Sequence, residues 1–147
     1  MANQKVWFIT GASKGLGLAL AKELLSEGYK VAATSRKAED LKKEISGNPD
    51  FLPLEVNLVD EDSVGAAIEQ TVNYFGQVDV IVNNAGYGLG GAFEELTAAE
   101  LHQNFDVNVF ATLHVVKKAL PYLRKQKSGH SAHKSVEGGM MILYNGK

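Results

Sequence analysis

Thr10-Gly11-Ala12-Ser13-Lys14-Gly15-Leu16-Gly17 is the stretch on which the fold turns, because the residues before it read as a strand and those after it as a helix. Upstream, Val6-Trp7-Phe8-Ile9 is a short apolar run suited to a strand buried on both faces. Downstream, residues 16–25 are rich in helix formers and stop before Gly28. A chain that passes abruptly from strand to helix needs positions without a Cβ. Gly11 permits the tight turn, Gly15 lets backbone approach a bound pyrophosphate, and Gly17 allows the helix to pack closely on the sheet, while unpaired N–H groups of the first helical turn face the anion. The spacing is Gly-x-x-x-Gly-x-Gly rather than the commoner Gly-x-Gly-x-x-Gly, so its weight comes from the strand before it and the helix after it. The competing reading is a glycine-rich turn with no ligand.

Working outward, 147 residues suit one domain with one core. A hydrophobic content of 45% with 22% charged residues is ordinary for a soluble globular chain and argues against disorder. The 15 basic and 17 acidic residues leave a net charge of −2, which gives no electrostatic case for nucleic acid or an anionic membrane as partner. Cysteine is absent, which removes disulfides, thiol catalysis and cysteine-based zinc sites together. The N-terminal apolar run is too short for a signal-peptide core, so a cytoplasmic location is expected. His130 and His133 stand in a polar stretch without a fixed carboxylate partner, and His102 and His114 on helical segments, so no metal site is expected.

Residues 30–34 read as a second strand, followed by Ser35-Arg36-Lys37. An acidic residue at this point, about 20 residues past a glycine turn, would bind the ribose 2′-hydroxyl of NAD, whereas an arginine accommodates the 2′-phosphate of NADP. Arg36 stands here, with Ser35 beside it and Lys14 in the glycine turn, so the local charge favours NADP(H) over NAD(H). A helix is expected over 38–46, a third strand over 51–56, and Asn57-Leu58 at its end. Asp60 is placed to cap a helix whose Val64, Ile68, Val72 and Phe75 form one apolar stripe closed by Gly76. A fourth strand over 78–82 runs into Asn83-Asn84-Ala85-Gly86. Strands alternating with helices at this rhythm predict a parallel sheet with right-handed crossovers, whose ligands gather at the carboxyl ends of the strands. Thr97 to Glu100 spells a capping box, and Phe105, Val109, Leu113, Val116 and Leu120 predict an apolar stripe on a helix over 105–126, bent at Pro121. Asn108 interrupts that run and is expected as a buried amide that needs partners.

TGASKGLG, NNAG and FDVNVF, in this order and at these separations, resemble the short-chain dehydrogenase/reductase family over about residues 5–130. The resemblance implies a Rossmann-like doubly wound α/β sheet and hydride transfer between nicotinamide and the carbon of a small carbonyl or alcohol. It is closest to the branch with basic residues at Lys14 and Arg36, which implies NADP(H). By the same resemblance, cofactor contacts are expected from Thr10, Gly11, Ser13, Lys14, Gly15, Leu16, Gly17, Ser35, Arg36, Asn57, Leu58, Asn84, Ala85 and Gly86. Asn108 matches the asparagine that supports the catalytic proton relay.

The family's general acid or base is a tyrosine whose pKa is lowered by a lysine four residues on. No tyrosine in this chain has lysine at that spacing. Ser131 to Gly139 is polar where a buried fifth strand is required, with Met140 to Tyr144 as its substitute, and an imitation of the catalytic set by Ser135, Tyr144 and Lys147 is disfavoured by the short separations. The sheet is therefore expected to be incomplete in its C-terminal half, with a Rossmann portion over 1–130 and a divergent tail over 131–147 left by truncation, frameshift or alternative processing. Three outcomes are open: a cofactor half-site without turnover; a non-catalytic module that binds nucleotide or docks onto a full-length relative through residues 105–126; or a poorly folded fragment.

Overall fold

In the computed structural model, residues 4–134 and 140–145 are described. Four strands arise where the apolar runs lie: β1 (Val6–Ile9), β2 (Lys30–Ser35), β3 (Phe51–Glu55) and β4 (Val80–Asn83). Helices α1 (Gly15–Ser26), α2 (Ala38–Glu44) and α3 (Glu61–Phe75) connect them. The sheet runs β3-β2-β1-β4 and is parallel throughout this part. Alternation along each strand divides the core between two faces. Ile9, Val31, Ala33, Val80 and Val82 pack with Ala21 and Leu24 of α1 and Leu41 of α2, whereas Phe8, Ala32, Leu54 and Ile81 pack with Val64 and Ile68 of α3. Helices thus cover both faces, and the strand order reverses direction between β1 and β4, which is the doubly wound arrangement.

Beyond β4, a 3₁₀ turn (Phe93–Glu95) leads to α4 (Ala98–Phe105), a π-helical turn (Asp106–Phe110) and α5 (Ala111–Gln126), in which Pro121 is internal. The expected stripe on this segment is corrected. Phe105, Val109 and Leu113 are exposed, and Ala111, Thr112, Val115, Ala119 and Leu123 face the core instead. A π turn inserts an extra residue per turn and rotates the following face, so the five-position register read across residues 105–120 does not survive it.

The C-terminal part also differs from expectation. His130–Lys134 forms β5, parallel to β4, and Met140–Asn145 forms β6, antiparallel to β5 at the edge. The strands therefore continue past the fourth, the fifth is the polar run itself, and the apolar run is a sixth. Ser131 is buried opposite Ile81, and Ala132 is buried opposite Val82. Ser131 Oγ has no hydrogen-bond partner among the described residues, an unfavourable feature for a buried hydroxyl. Backbone pairing, with His130 N–H donating to Asp79 O at 2.9 Å, holds the strand where its side chains add little. Ser135 and Lys147 lie outside the described residues. Among the described residues, no helix is long and apolar enough to cross a membrane.

Candidate functional site

Because β1 to β5 are parallel, their carboxyl ends share one edge, and the sequence-marked segments meet there. The turn after β1 and the turn after β4 are locked together by polar contacts. Thr10 Oγ1 accepts the N–H groups of Asn84 at 3.1 Å and Ala85 at 3.0 Å. Asn84 Nδ2 donates to the carbonyls of Thr10 at 3.2 Å and Gly11 at 2.9 Å. A Cβ on Gly17 would meet Asn84 Nδ2 and lie 2.7 Å from Gly11 O and 3.0 Å from Ala12 Cα. The third glycine of the turn therefore serves close packing, as its position suggested. Gly11 and Gly15 both take positive φ, +62° and +61°.

Helix α1 begins without a cap. Lys14 occupies the N-cap position in extended conformation with no side-chain hydrogen bond, and its first turn holds no acidic residue. The first intrahelical donor is Leu18 N–H, to Lys14 O at 3.4 Å, so the N–H groups of Gly15, Leu16 and Gly17 precede the ladder. Leu16 is 63% exposed beside them. Helices α3 and α2 start differently: Asp60 accepts from Asp62 N–H at 3.0 Å on α3, and Ala38 N–H of α2 donates to Glu55 at 3.2 Å.

Between α1, β2 and α2 lies an open cleft of about 300 Å³. Ser13 and Lys14 line it from the glycine turn, Ser35 and Arg36 from the end of β2, and Asp40, Lys43 and Glu44 from α2. The last three went unmarked in the sequence, although Asp40, Lys43 and Glu44 are spaced i, i+3, i+4 and so share a helix face. Asn57 and Leu58 follow β3. Asn57 Oδ1 accepts Val59 N–H at 3.3 Å, its own N–H donates to Ser63 Oγ at 3.0 Å, and Leu58 O lies 3.2 Å from His114 Nδ1 on α5.

Asn108 sits in the π turn, and the expectation of a buried amide is corrected to a half-buried one with its partners filled. Its Oδ1 accepts Tyr87 N–H at 2.9 Å, and its Nδ2 donates to Tyr87 O at 2.6 Å. Asn104, one turn earlier, donates to the same carbonyl at 2.9 Å. A Cβ on Gly86 would come 2.5 Å from Asn108 Oδ1, so any other residue at 86 would push the amide from its place. The four-residue spacing to Asn108 was the signal that could have marked Asn104.

With this geometry in hand, the comparisons agree on one family. A family model described as short chain dehydrogenase matches residues 5–143. The oxidoreductase BOA17 of Botryotinia fuckeliana (strain B05.10) is 39% identical over 137 residues, covering 92% of this chain and 50% of that protein. A short-chain dehydrogenase from Streptomyces avermitilis superposes with a TM-score of 0.85 at 34% identity, over 90% of this chain and 49% of its own. ElxO, solved with NADP bound, gives a TM-score of 0.81 at 30% identity, over 88% and 54%. This chain thus spans about half the length of the relatives it matches. On the glycine turn, the strand order and these matches together, the chain belongs to the short-chain dehydrogenase/reductase family.

Proposed function

We propose that this chain carries the NADP(H)-holding portion of an oxidoreductase acting on small carbonyl or alcohol substrates. The observation that carries the proposal is the uncapped start of α1 beside a cleft that gathers Lys14, Arg36 and Lys43 against Asp40 and Glu44. Three free N–H groups at the positive end of a helix, with no acidic residue in its first turn to compete, suit a pyrophosphate. Glycines that leave no room for a Cβ at Gly17 keep the turn tight enough to present them. Lys14 and Arg36, with the hydroxyls of Ser13 and Ser35, suit a 2′-phosphate, and the absence of a carboxylate at residues 35–37 removes the usual recognition of a free ribose hydroxyl.

The nicotinamide supplies hydride chemistry when bound. The chain's own residues would hold it: Asn57 and Leu58 would meet the adenine, Leu16 would offer apolar surface, and Asn84, Ala85 and Gly86 would stand beside the rest of the cofactor. Asn108 orients the segment after Gly86 through both polar atoms of the Tyr87 backbone. With no Tyr-x-x-x-Lys pair in the sequence, we assign this chain cofactor binding without turnover of its own.

The test is a fluorescence titration of the purified chain with NADPH, NADH as control and an Arg36→Asp variant alongside. Saturable NADPH binding that weakens in the variant is expected, whereas equal binding of both cofactors, or none, overturns the reading. A second role is favoured by the exposed apolar surface of Phe105, Val109, Phe110 and Leu113, which suits association through residues 105–126. Sedimentation of the same preparation with a full-length relative reads that role: a co-sedimenting complex supports it, and a strict monomer ends it.

A further inference from the structure

We infer that Lys43 of α2 is a third cation for the 2′-phosphate and that Asp40 opposes it, so that α2 helps to set cofactor choice together with Arg36. The inference rests on the cofactor reading above. Of the charged groups in the cleft, Lys14, Arg36 and Lys43 enter no ion pair among the described residues. Glu44 is engaged by Lys22 Nζ at 3.2 Å, which draws its charge toward α1. Glu39 is held by Lys42 at 3.1 Å and does not line the cleft. Asp40 is left as the one unpaired carboxylate facing three unpaired cations.

That balance suits a dianion. In the cofactor reading the pyrophosphate has the α1 amides, so a second, separate phosphate accounts for Lys14, Arg36 and Lys43 gathered in the cleft with Ser13 and Ser35. The chain places Lys43 by ordinary packing. Leu41, fully buried, seats α2 against the face that holds Val31 and Ala33, and Asp40, Lys43 and Glu44 then turn together toward the cleft. A lysine here acts as a point charge at the open end, whereas Arg36 at the strand end offers a planar donor fork.

The experiment is calorimetric titration of the full chain with adenosine 2′,5′-bisphosphate and, separately, 5′-AMP, for the wild type and for Arg36→Gln, Lys43→Gln and Asp40→Asn. These nucleotides differ only in the group at issue. Lys43→Gln is expected to lower the bisphosphate preference about fivefold, and Asp40→Asn to raise it about twofold, in keeping with partly exposed ion pairs. Two opposite signs from one helix face distinguish a charge effect from a loss of folding. A wild type that binds both nucleotides equally overturns the cofactor reading, and this inference with it. A preference that Arg36→Gln abolishes and Lys43→Gln preserves leaves the cofactor reading standing and overturns the role of Lys43.

Discussion

Helices α1 and α4 begin in opposite ways. On α4, Thr97 Oγ1 accepts Glu100 N–H at 3.2 Å while Glu100 accepts Thr97 N–H at 2.8 Å, so the capping box satisfies its donors from within the chain. On α1, a longer helix at the crevice of the sheet, the same donors have no side chain to take them. A cap stabilises its helix by about 1 kcal/mol, and α1 forgoes that contribution. The difference separates a helix end whose donors are met by its own side chains from one whose donors stay open, as the proposed pyrophosphate contact requires.

The largest expected effect on this contrast comes from Gly17→Ala. Its Cβ would meet Asn84 Nδ2 and the backbone of Gly11 and Ala12, which cannot all retreat, so the β1 and β4 turns should part. A loss of about 1 to 3 kcal/mol in denaturant unfolding and of NADPH binding is expected. Unchanged stability would mean that the turn is looser than described. Lys14→Asp sharpens the contrast by giving α1 the acceptor it lacks. Stability should rise by up to about 1 kcal/mol while NADPH affinity falls, and a change of both in the same direction would break the distinction. The smallest effect is on the α4 side. Hydrogen bonds from the Thr97 backbone, and then from its hydroxyl, hold the Glu100 carboxyl below its usual pKa, as Lys117 does for Glu61. A folded value below the unfolded one means that this stabilisation is complete above the usual carboxylate range and is lost as pH falls through the folded value. Thermal midpoints measured down through the acid range should decline slightly less steeply in Glu100→Gln, because that variant has no charge to lose.

Much of the site was legible because its signals are local. The strand, glycine turn and helix at residues 6–26 and the caps at Asp60 and Thr97 each follow from residues within a few positions of one another. So does the α3 stripe, where Val64 and Ile68 are buried and Val72 and Phe75 pack against the core. Asn108 was marked as a polar residue needing partners, but its clamp on Tyr87 joins residues 21 positions apart and needed the fold to be seen. The cleft was half legible. Arg36 lies where the strand ends, whereas Lys43 lines the cleft only because buried Leu41 seats α2 beside the glycine turn.

The sequence by itself determined the βα rhythm, from which a parallel sheet was expected, and the identity of the turn that ends β1, since apolar period, glycine spacing and capping are properties of neighbouring residues. Tertiary structure alone decided two matters. Polar His130–Lys134 became a strand because the open edge of β4 offered backbone partners, which do not depend on side-chain polarity. Phe105, Val109 and Leu113 of the expected stripe face outward because the π turn shifted its phase, Val116 and Leu120 are left half-buried, and Ala111, Thr112, Val115, Ala119 and Leu123 took the inward places. Burial is set by what packs against a segment, and that neighbour is not written in the segment itself.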